Sequence, residues 1–147
     1  MELVNALLIE PGRAPLYILL ENSRKCVEGI IEGEIKTVKP WKDNIVAIYA
    51  RPGATPKPPN RIIAKDNEVL FPVAQVFGSL LLCAVNDPTQ KITDGAFCPL
   101  SKDQILKYCF RFAIPDEIRR DTKTGYLNWK VHYQAIIENS DESEELF

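Results

Sequence analysis

Histidine and closely spaced cysteines are what this sequence of 147 residues lacks most. It has one histidine, His132, and four cysteines, Cys26, Cys83, Cys98 and Cys109, with no C-x-x-C pair. A structural zinc site needs four such ligands at short spacings, so we predict no metal site. Because most of the cysteines stand among apolar residues, we expect free thiols that pack as small hydrophobic side chains in a reducing compartment.

Long apolar runs are also absent. No stretch approaches the ~18 continuous apolar residues that a membrane-spanning helix needs. The first residues, MELVNALLIEPG, carry neither a basic n-region nor a small-residue cleavage site of the kind that marks a secretory signal. We therefore expect a cytoplasmic protein with no membrane partner.

Recognisable catalytic arrangements are missing as well. His132 has no serine or cysteine nucleophile near it in the sequence, and Asp116 with Glu117 suits the first turn of a short helix, where the helix dipole favours acids. No glycine-rich phosphate cradle is present. We predict that the protein is not an enzyme and uses no cofactor.

The charges are distributed unevenly along the chain. The formal net charge is −2, but the segment from Glu138 onward, ENSDESEELF, holds five acids and no base, which leaves +3 for the rest. This excess is small for a dedicated nucleic-acid binder. The composition predicts one globular domain over residues 1–137 and an acidic tail over residues 138–147, since consecutive like charges repel.

An apolar stretch near the middle of the chain is the feature around which a core can form. Residues 80–85, LLLCAV, are apolar without a break, which predicts a strand buried on both faces. Further strands are predicted over residues 4–10 and 16–20, on either side of a Pro-Gly turn, and over residues 35–38 and 45–49. Residues 126–137 alternate between apolar and polar, so they predict a strand with one buried face.

Two short helices are predicted between these strands. The first begins at the N-cap candidate Ser23 and ends before Gly33. The second begins with a capping box of Ser101 and Gln104 and ends before Pro115. Its apolar stripe consists of Ile105, Tyr108, Cys109 and Phe112. Together the elements predict an α+β fold, a small mixed or antiparallel sheet with the helices packed mainly on one face.

The Pro-rich segment of residues 51–61, RPGATPKPPNR, is the best candidate for a ligand site. Its prolines predict an irregular loop, and its basic residues come without an acid. We predict that Arg51, Lys57, Asn60 and Arg61 form an anion-binding cup, because guanidinium groups offer paired donors to phosphates. The alternative is a solvated loop in which Asn60 serves turn chemistry.

Large aromatic rings indicate a second candidate surface. Trp41, Tyr49, Trp129 and Tyr133 are amphipathic side chains of the type enriched at interfaces, although core packing is their commoner fate. We predict that Trp129 and Tyr133 lie on the strand of residues 126–137, and that this strand is an edge through which the protein forms a homo-oligomer.

Several short motifs, taken in order, resemble a known family. They are MELVNALLIEPGRAPLYILLEN, EGIIEGEIKTV, NIVAIYA, the pair Asn60-Arg61, the triplet VFG at residues 76–78, and LSKDQILKYCFRF. Over roughly residues 3–113 they resemble the domain-of-unknown-function family 3846, small proteins carried largely by phages, plasmids and integrative elements of Gram-positive bacteria. The Pro-rich residues 52–59 and the extension of residues 126–137 depart from the family pattern. The resemblance implies a setting in mobile genetic elements, without an enzymatic precedent.

These observations lead to two main hypotheses. The first is a non-enzymatic protein in the cytoplasm of a bacterial host cell, which antagonises a host defence by binding a host protein or by sequestering a small phosphorylated signalling nucleotide. The alternative is a nucleic-acid-binding accessory protein of mobile-element replication or transfer. A DNA affinity that falls steeply with salt would favour the alternative. An enzyme with an unrecognised site is a third hypothesis.

Overall fold

A computed structural model describes residues 2–53, 55–65, 72–87, 89, 91–132 and 134, so the predicted acidic tail lies outside the described residues. The elements in chain order are β1 (Leu3–Ile9), β2 (Leu16–Glu21), α1 (Arg24–Ile31), β3 (Ile35–Val38), β4 (Ile45–Ala50), β5 (Pro59–Ile63), β6 (Ala74–Phe77), β7 (Leu80–Val85), β8 (Phe97–Cys98), α2 (Lys102–Arg111), β9 (Glu117–Arg120) and β10 (Leu127–Lys130). The α+β class and the two short helices are confirmed. No helix in the described part of the chain is long and apolar enough to cross a membrane.

The main sheet is antiparallel, and β7 lies at its centre. The strand order is β2-β1-β7-β4-β3, with the short β8 also paired to β7. All six residues of β7 are buried. The prediction of a strand covered on both faces is therefore confirmed, because an unbroken apolar run leaves no side chain suited to water.

The two faces of the main sheet are covered by different helices. Side chains alternate along β7, so Leu81 and Cys83 lie in one core cluster with Val27 and Ile31 of α1. The other cluster contains Leu80, Leu82 and Ala84 of β7, Tyr108 of α2 with Phe112 directly after the helix, and Ile63 and Val76 of the β5–β6 hairpin. The prediction that both helices pack mainly on one face is wrong, because β7 has two apolar faces and each requires cover.

Both helices begin at their predicted caps. The Ser23 hydroxyl accepts a hydrogen bond from the Cys26 amide at 3.2 Å. Ser101 and Gln104 form the full capping box, with the Gln104 amide 3.1 Å from the Ser101 hydroxyl and the Ser101 amide 2.9 Å from the Gln104 side-chain oxygen. These bonds satisfy amides that the helix itself leaves without partners.

The segments around the Pro-rich loop and after α2 differ from the predictions. Pro59–Ile63 is a strand, so the irregular loop ends before its predicted limit at Arg61. Glu117–Arg120 is also a strand rather than a turn of helix, and it pairs with Leu127–Lys130. The second of these strands begins near the predicted residue 126 and ends at Lys130, because the chain then turns to hydrogen-bond with Asp116 and Arg111.

Candidate anion-binding cleft

The four residues of the predicted anion cup do not lie together on one surface. The Arg51 side chain is exposed, and Lys57 is half-buried. Asn60 and Arg61 are each only 1% exposed. The structure therefore divides the Pro-rich segment into a surface part and a buried part, and it corrects the prediction that Asn60 and Arg61 face a ligand on the loop.

Asn60 holds the end of β1 close to the end of β6. Its side-chain amide donates to the carbonyl oxygens of Ile9 at 2.7 Å and Gly78 at 2.8 Å, and its side-chain oxygen accepts from Arg61 Nη1 at 2.9 Å. All three bonds are buried, where an unpaired carbonyl would be costly. Asn60 thus links the ends of β1 and β6 by hydrogen bonds, and it is not the turn residue of the alternative prediction.

Arg61 extends from β5 into the protein interior. Its Nη2 donates to the backbone carbonyl oxygens of Arg13, in the β1–β2 turn, and of Phe112, at the end of α2, the latter at 3.2 Å. Burial lowers the pKa of the Arg61 guanidinium, and the nearby Asp116 carboxylate opposes that shift. The guanidinium joins three parts of the fold and is not available to a ligand in solution.

Asp116 connects the β9–β10 hairpin to the body of the protein. Its Oδ2 accepts from the Ile62 amide and from the Trp129 indole Nε1, both at 2.9 Å, and its Oδ1 accepts from the His132 amide at 2.9 Å. The sequence predicted Asp116 in the first turn of a helix. A carboxylate with several well-placed donors instead fixes the hairpin against β5.

The surface part of the Pro-rich segment forms one wall of a cleft of about 310 Å³. We call it the Arg51–Arg120 cleft. Its lining residues come from the end of β4, the Pro-rich loop, β6 and the end of β9. They are Ala50, Arg51, Pro52, Gly53, Thr55, Pro56, Lys57, Gln75, Phe77 and Arg120. Three of them are cationic, and none of them is acidic.

Local contacts orient the cationic side chains at the cleft. Arg51 Nε lies 3.4 Å from Glu34 Oε1, but both side chains are exposed, so this ion pair is weak and can give way to a ligand. Arg120 Nη1 donates to the carbonyl oxygen of Gly125 at 2.7 Å. This bond holds the guanidinium at the end of β9 and leaves its other donors for an anion.

Gly78 determines where Lys57 lies. Gly78 has a φ of +79°, a conformation that favours glycine, and its amide donates to the carbonyl oxygen of Pro58 at 2.7 Å. A Cβ atom at this position would lie 2.7 Å from Cδ of Lys57. The Lys57 side chain therefore crosses directly over Gly78. This close contact and the positive φ explain why the third residue of the VFG motif is a glycine.

Gln75 and Phe77 complete the cleft with an amide and an aromatic ring. They stand two residues apart in β6 and so share a face, while Val76 is buried on the opposite face. The Phe77 ring packs edge-on against Trp129, with centroids 5.8 Å apart. No local pattern in the sequence links β6 to the distant β9, so Gln75, Phe77 and Arg120 were not predicted.

The predicted aromatic interface is only partly described. Trp129 is half-buried, and its ring contacts Phe77 and Asp116 within the same chain. Tyr133 lies outside the described residues. Trp41 and Tyr49 belong to the core, in the cluster that contains α2. Self-association through the C-terminal strand stays a prediction, although Trp129 already has partners inside the chain.

The cysteines and the single histidine lie outside the cleft. All four cysteines are free thiols, and burial raises the pKa of Cys83, Cys98 and Cys109, which disfavours the reactive thiolate. His132 Nε2 lies 3.8 Å from Glu117 Oε1 at the surface of the hairpin. Within the described ranges, no three histidine, cysteine or acidic side chains are grouped so as to hold a metal ion.

Comparison with known proteins identifies a family. No curated protein and no solved structure matches the chain. A family model described as Domain of unknown function (DUF3846) matches residues 4–113, from β1 to just beyond α2. The match includes the loop wall of the cleft and Gly78 but not Arg120 or Asp116. Because the matched segment covers most of the chain, the protein belongs to the DUF3846 family.

Proposed function

We propose that this protein is a non-enzymatic binding protein of a phage or other mobile genetic element. In this proposal it acts in the cytoplasm of the bacterial host and counters a host defence by sequestering a small phosphorylated signalling molecule in the Arg51–Arg120 cleft. The observation that carries the proposal is the convergence of Arg51, Lys57 and Arg120 on a cleft with no acidic lining residue. The mobile-element setting is what the family resemblance implies.

The cationic groups favour a phosphate rather than a neutral ligand. A guanidinium presents paired N–H donors that match two oxygens of a phosphate, and the Lys57 ammonium adds a point charge. Two guanidiniums and one ammonium suit a ligand with two or more negative charges. Because Arg51 lies in the Pro-rich loop and Arg120 at the end of β9, such a ligand would bridge the loop and the C-terminal hairpin.

The remaining lining residues favour a nucleotide among phosphorylated molecules. The Phe77 ring supplies a flat apolar surface on which a base can stack, and the Gln75 amide supplies both a donor and an acceptor for a base edge. A volume of about 310 Å³ is at the small end of the range for ligand pockets, so it suits one nucleotide unit better than a polymer.

A thermal-shift panel of nucleotides, cyclic nucleotides and inorganic pyrophosphate tests this proposal. A ligand at ~100 times its dissociation constant adds about 2.7 kcal/mol to the free energy of unfolding. For a chain of this size, that corresponds to a rise in Tm of roughly 5–10 °C. We expect at least one strong stabiliser among the nucleotides, and a weaker effect from pyrophosphate, which lacks a base.

Neighbouring arginines on β9 provide a matched control for the site. Arg120 lines the cleft, whereas Arg119 does not. Arg120→Gln should remove most of the ligand-induced shift, and Arg119→Gln should retain it, although both variants lose the same charge. An equal loss in the two variants would indicate general attraction to a basic surface and would contradict a specific site.

Two results would replace the proposal with another function. If the panel is flat and a host protein is recovered by affinity purification with the wild-type chain, direct protein inhibition would be the better account. If single-stranded oligonucleotides bind and their affinity falls steeply with salt, the accessory role in replication or transfer would be favoured instead.

A further inference from the structure

The two edges of the main sheet are protected to different degrees. The edge strand β3 has Lys36 within it and the charged residues Glu34 and Lys39 beside it, which discourage pairing with another chain. The opposite edge strand, β2, has the sequence LYILLE and carries no charge, proline or bulge before Glu21. The outer side of β2 is therefore an unguarded row of backbone donors and acceptors.

Exposed apolar side chains concentrate at this unguarded edge. Within the described residues, nine large hydrophobic side chains are exposed, and four of them lie on β2 or the adjacent end of β1. They are Leu3 at 59%, Leu16 at 58%, Tyr17 at 51% and Leu19 at 61%. A concentration of apolar surface beside an open strand edge is typical of a protein interface.

Three of these side chains lie on the sheet face that carries α2. Tyr17 is paired with Leu7, and Leu19 is paired with Asn5. Leu7 belongs to the α2 core cluster, and the Asn5 side chain hydrogen-bonds both backbone groups of Leu100 just before α2, so this face is fixed. By strand alternation, Leu3, Tyr17 and Leu19 share that face.

We propose that the β2 edge binds a second copy of this chain, through antiparallel pairing of β2 with its symmetry mate about a two-fold axis at Ile18. In this register, Tyr17 lies opposite Leu19 of the second copy on the α2 face, and Leu16 lies opposite Leu20 on the other face. Each apolar side chain therefore meets an apolar side chain, and the interface is self-complementary.

The positions of the charges agree with this register. The two Glu21 residues lie three positions from the axis on opposite sides, so about 20 Å separates them, well beyond the Debye length of about 8 Å at physiological salt. In this register Glu21 lies opposite Pro15 of the second copy, two residues from the exposed Arg13 in the turn that precedes β2. Opposite charges thus flank an apolar centre, while pairing through β3 would bring the two Lys36 residues close together.

Sedimentation of the full chain with designed charge variants tests the proposal. The wild type should sediment with the mass of two chains as the concentration rises. Replacing both Tyr17 and Leu19 by lysine, or both by glutamate, places like charges opposite each other and should give two folded monomeric proteins, because both side chains are exposed in the monomer. An equimolar mixture should form a one-to-one dimer, because each lysine then faces a glutamate.

A matched variant on the other edge completes the test. Thr37→Lys changes an exposed residue of β3 and should leave the dimer intact. A wild type that remains monomeric at the highest soluble concentration would overturn the proposal. A dimer that persists in the double-lysine variant, or that is lost in Thr37→Lys, would place the interface elsewhere. The cleft variants leave this interface unchanged, so its failure is independent of the proposed function.

Discussion

The two halves of residues 51–61 both carry polar and cationic side chains, but one half lies at the surface and the other half is buried. Arg51 and Lys57 remain at the surface and line the cleft, whereas Asn60 and Arg61 are buried and hydrogen-bond the ends of three other elements. The difference begins at Pro59, where the chain enters β5 and packs against the α2 face of the sheet. A cation in a loop is available to a ligand, but a cation in a covered strand must be satisfied by the protein itself.

A β-bulge explains how neighbouring polar side chains can both be buried. In β5, Pro59 is opposite Phe77 and Arg61 is opposite Val76, so Asn60 is the extra residue. A bulge interrupts strict alternation and redirects a side chain that would otherwise point away from the core. The pair Asn60-Arg61 thus has a structural role, and neither residue lines the cleft.

Among the substitutions that test this comparison, we expect the largest loss of stability from one in the buried half. Arg61→Ala leaves Asn60 Oδ1 and two backbone carbonyls without their donor and Asp116 without its nearby cation. We expect a loss of about 3–5 kcal/mol in the free energy of unfolding, measured by urea denaturation. A loss below about 1 kcal/mol would contradict the interior role of Arg61.

Removal of Asn60 should be the next most damaging change. In Asn60→Ala the carbonyl oxygens of Ile9 and Gly78 lose their buried donor, and we expect a loss of about 2–3 kcal/mol. Asn128→Ala, at an exposed position of β10, is the matched control and should change stability by less than about 0.5 kcal/mol. Equal effects in the two variants would mean that the hydrogen bonds of Asn60 contribute little to stability.

Gly78 contacts both halves, through Asn60 and Lys57, and its substitution should cause an intermediate loss of stability. Gly78→Ala forces a side chain into a left-handed conformation, which costs about 1–2 kcal/mol, and also displaces Lys57. In the background of Lys57→Ala, where Cδ is absent, the cost should be smaller. A double-mutant cycle measures this coupling, and strictly additive changes would show that the close approach is not limiting.

The surface half should contribute little to stability. Arg51→Gln and Lys57→Met each keep most of the side-chain volume, and we expect changes within about 0.5 kcal/mol in the unliganded protein, because the Arg51–Glu34 ion pair is exposed. The same variants should reduce the ligand-induced rise in Tm. A large loss of stability without ligand would show that these cations, like Arg61, belong to the fold.

Local patterns were sufficient for most elements but not for the cleft. The capping box at Ser101 and the unbroken apolar run of β7 depend on residues close in sequence, and both were predicted. Arg120 reaches the cleft only because Asp116 fixes the hairpin against β5, a contact between residues 54 apart in sequence. No periodicity or spacing records such a contact, so the prediction from sequence named the Pro-rich loop but not Arg120.

Nuclear magnetic resonance with uniformly ¹⁵N-labelled protein tests the central claim most directly. Titration with the strongest stabiliser of the nucleotide panel should shift the backbone amides of Gly53, Lys57, Phe77 and Arg120, which line one cleft. The Arg119→Gln variant should give the same pattern, and Arg120→Gln should weaken it. Shifts confined to another surface, with these four amides unchanged, would contradict the assignment of the Arg51–Arg120 cleft as the ligand site.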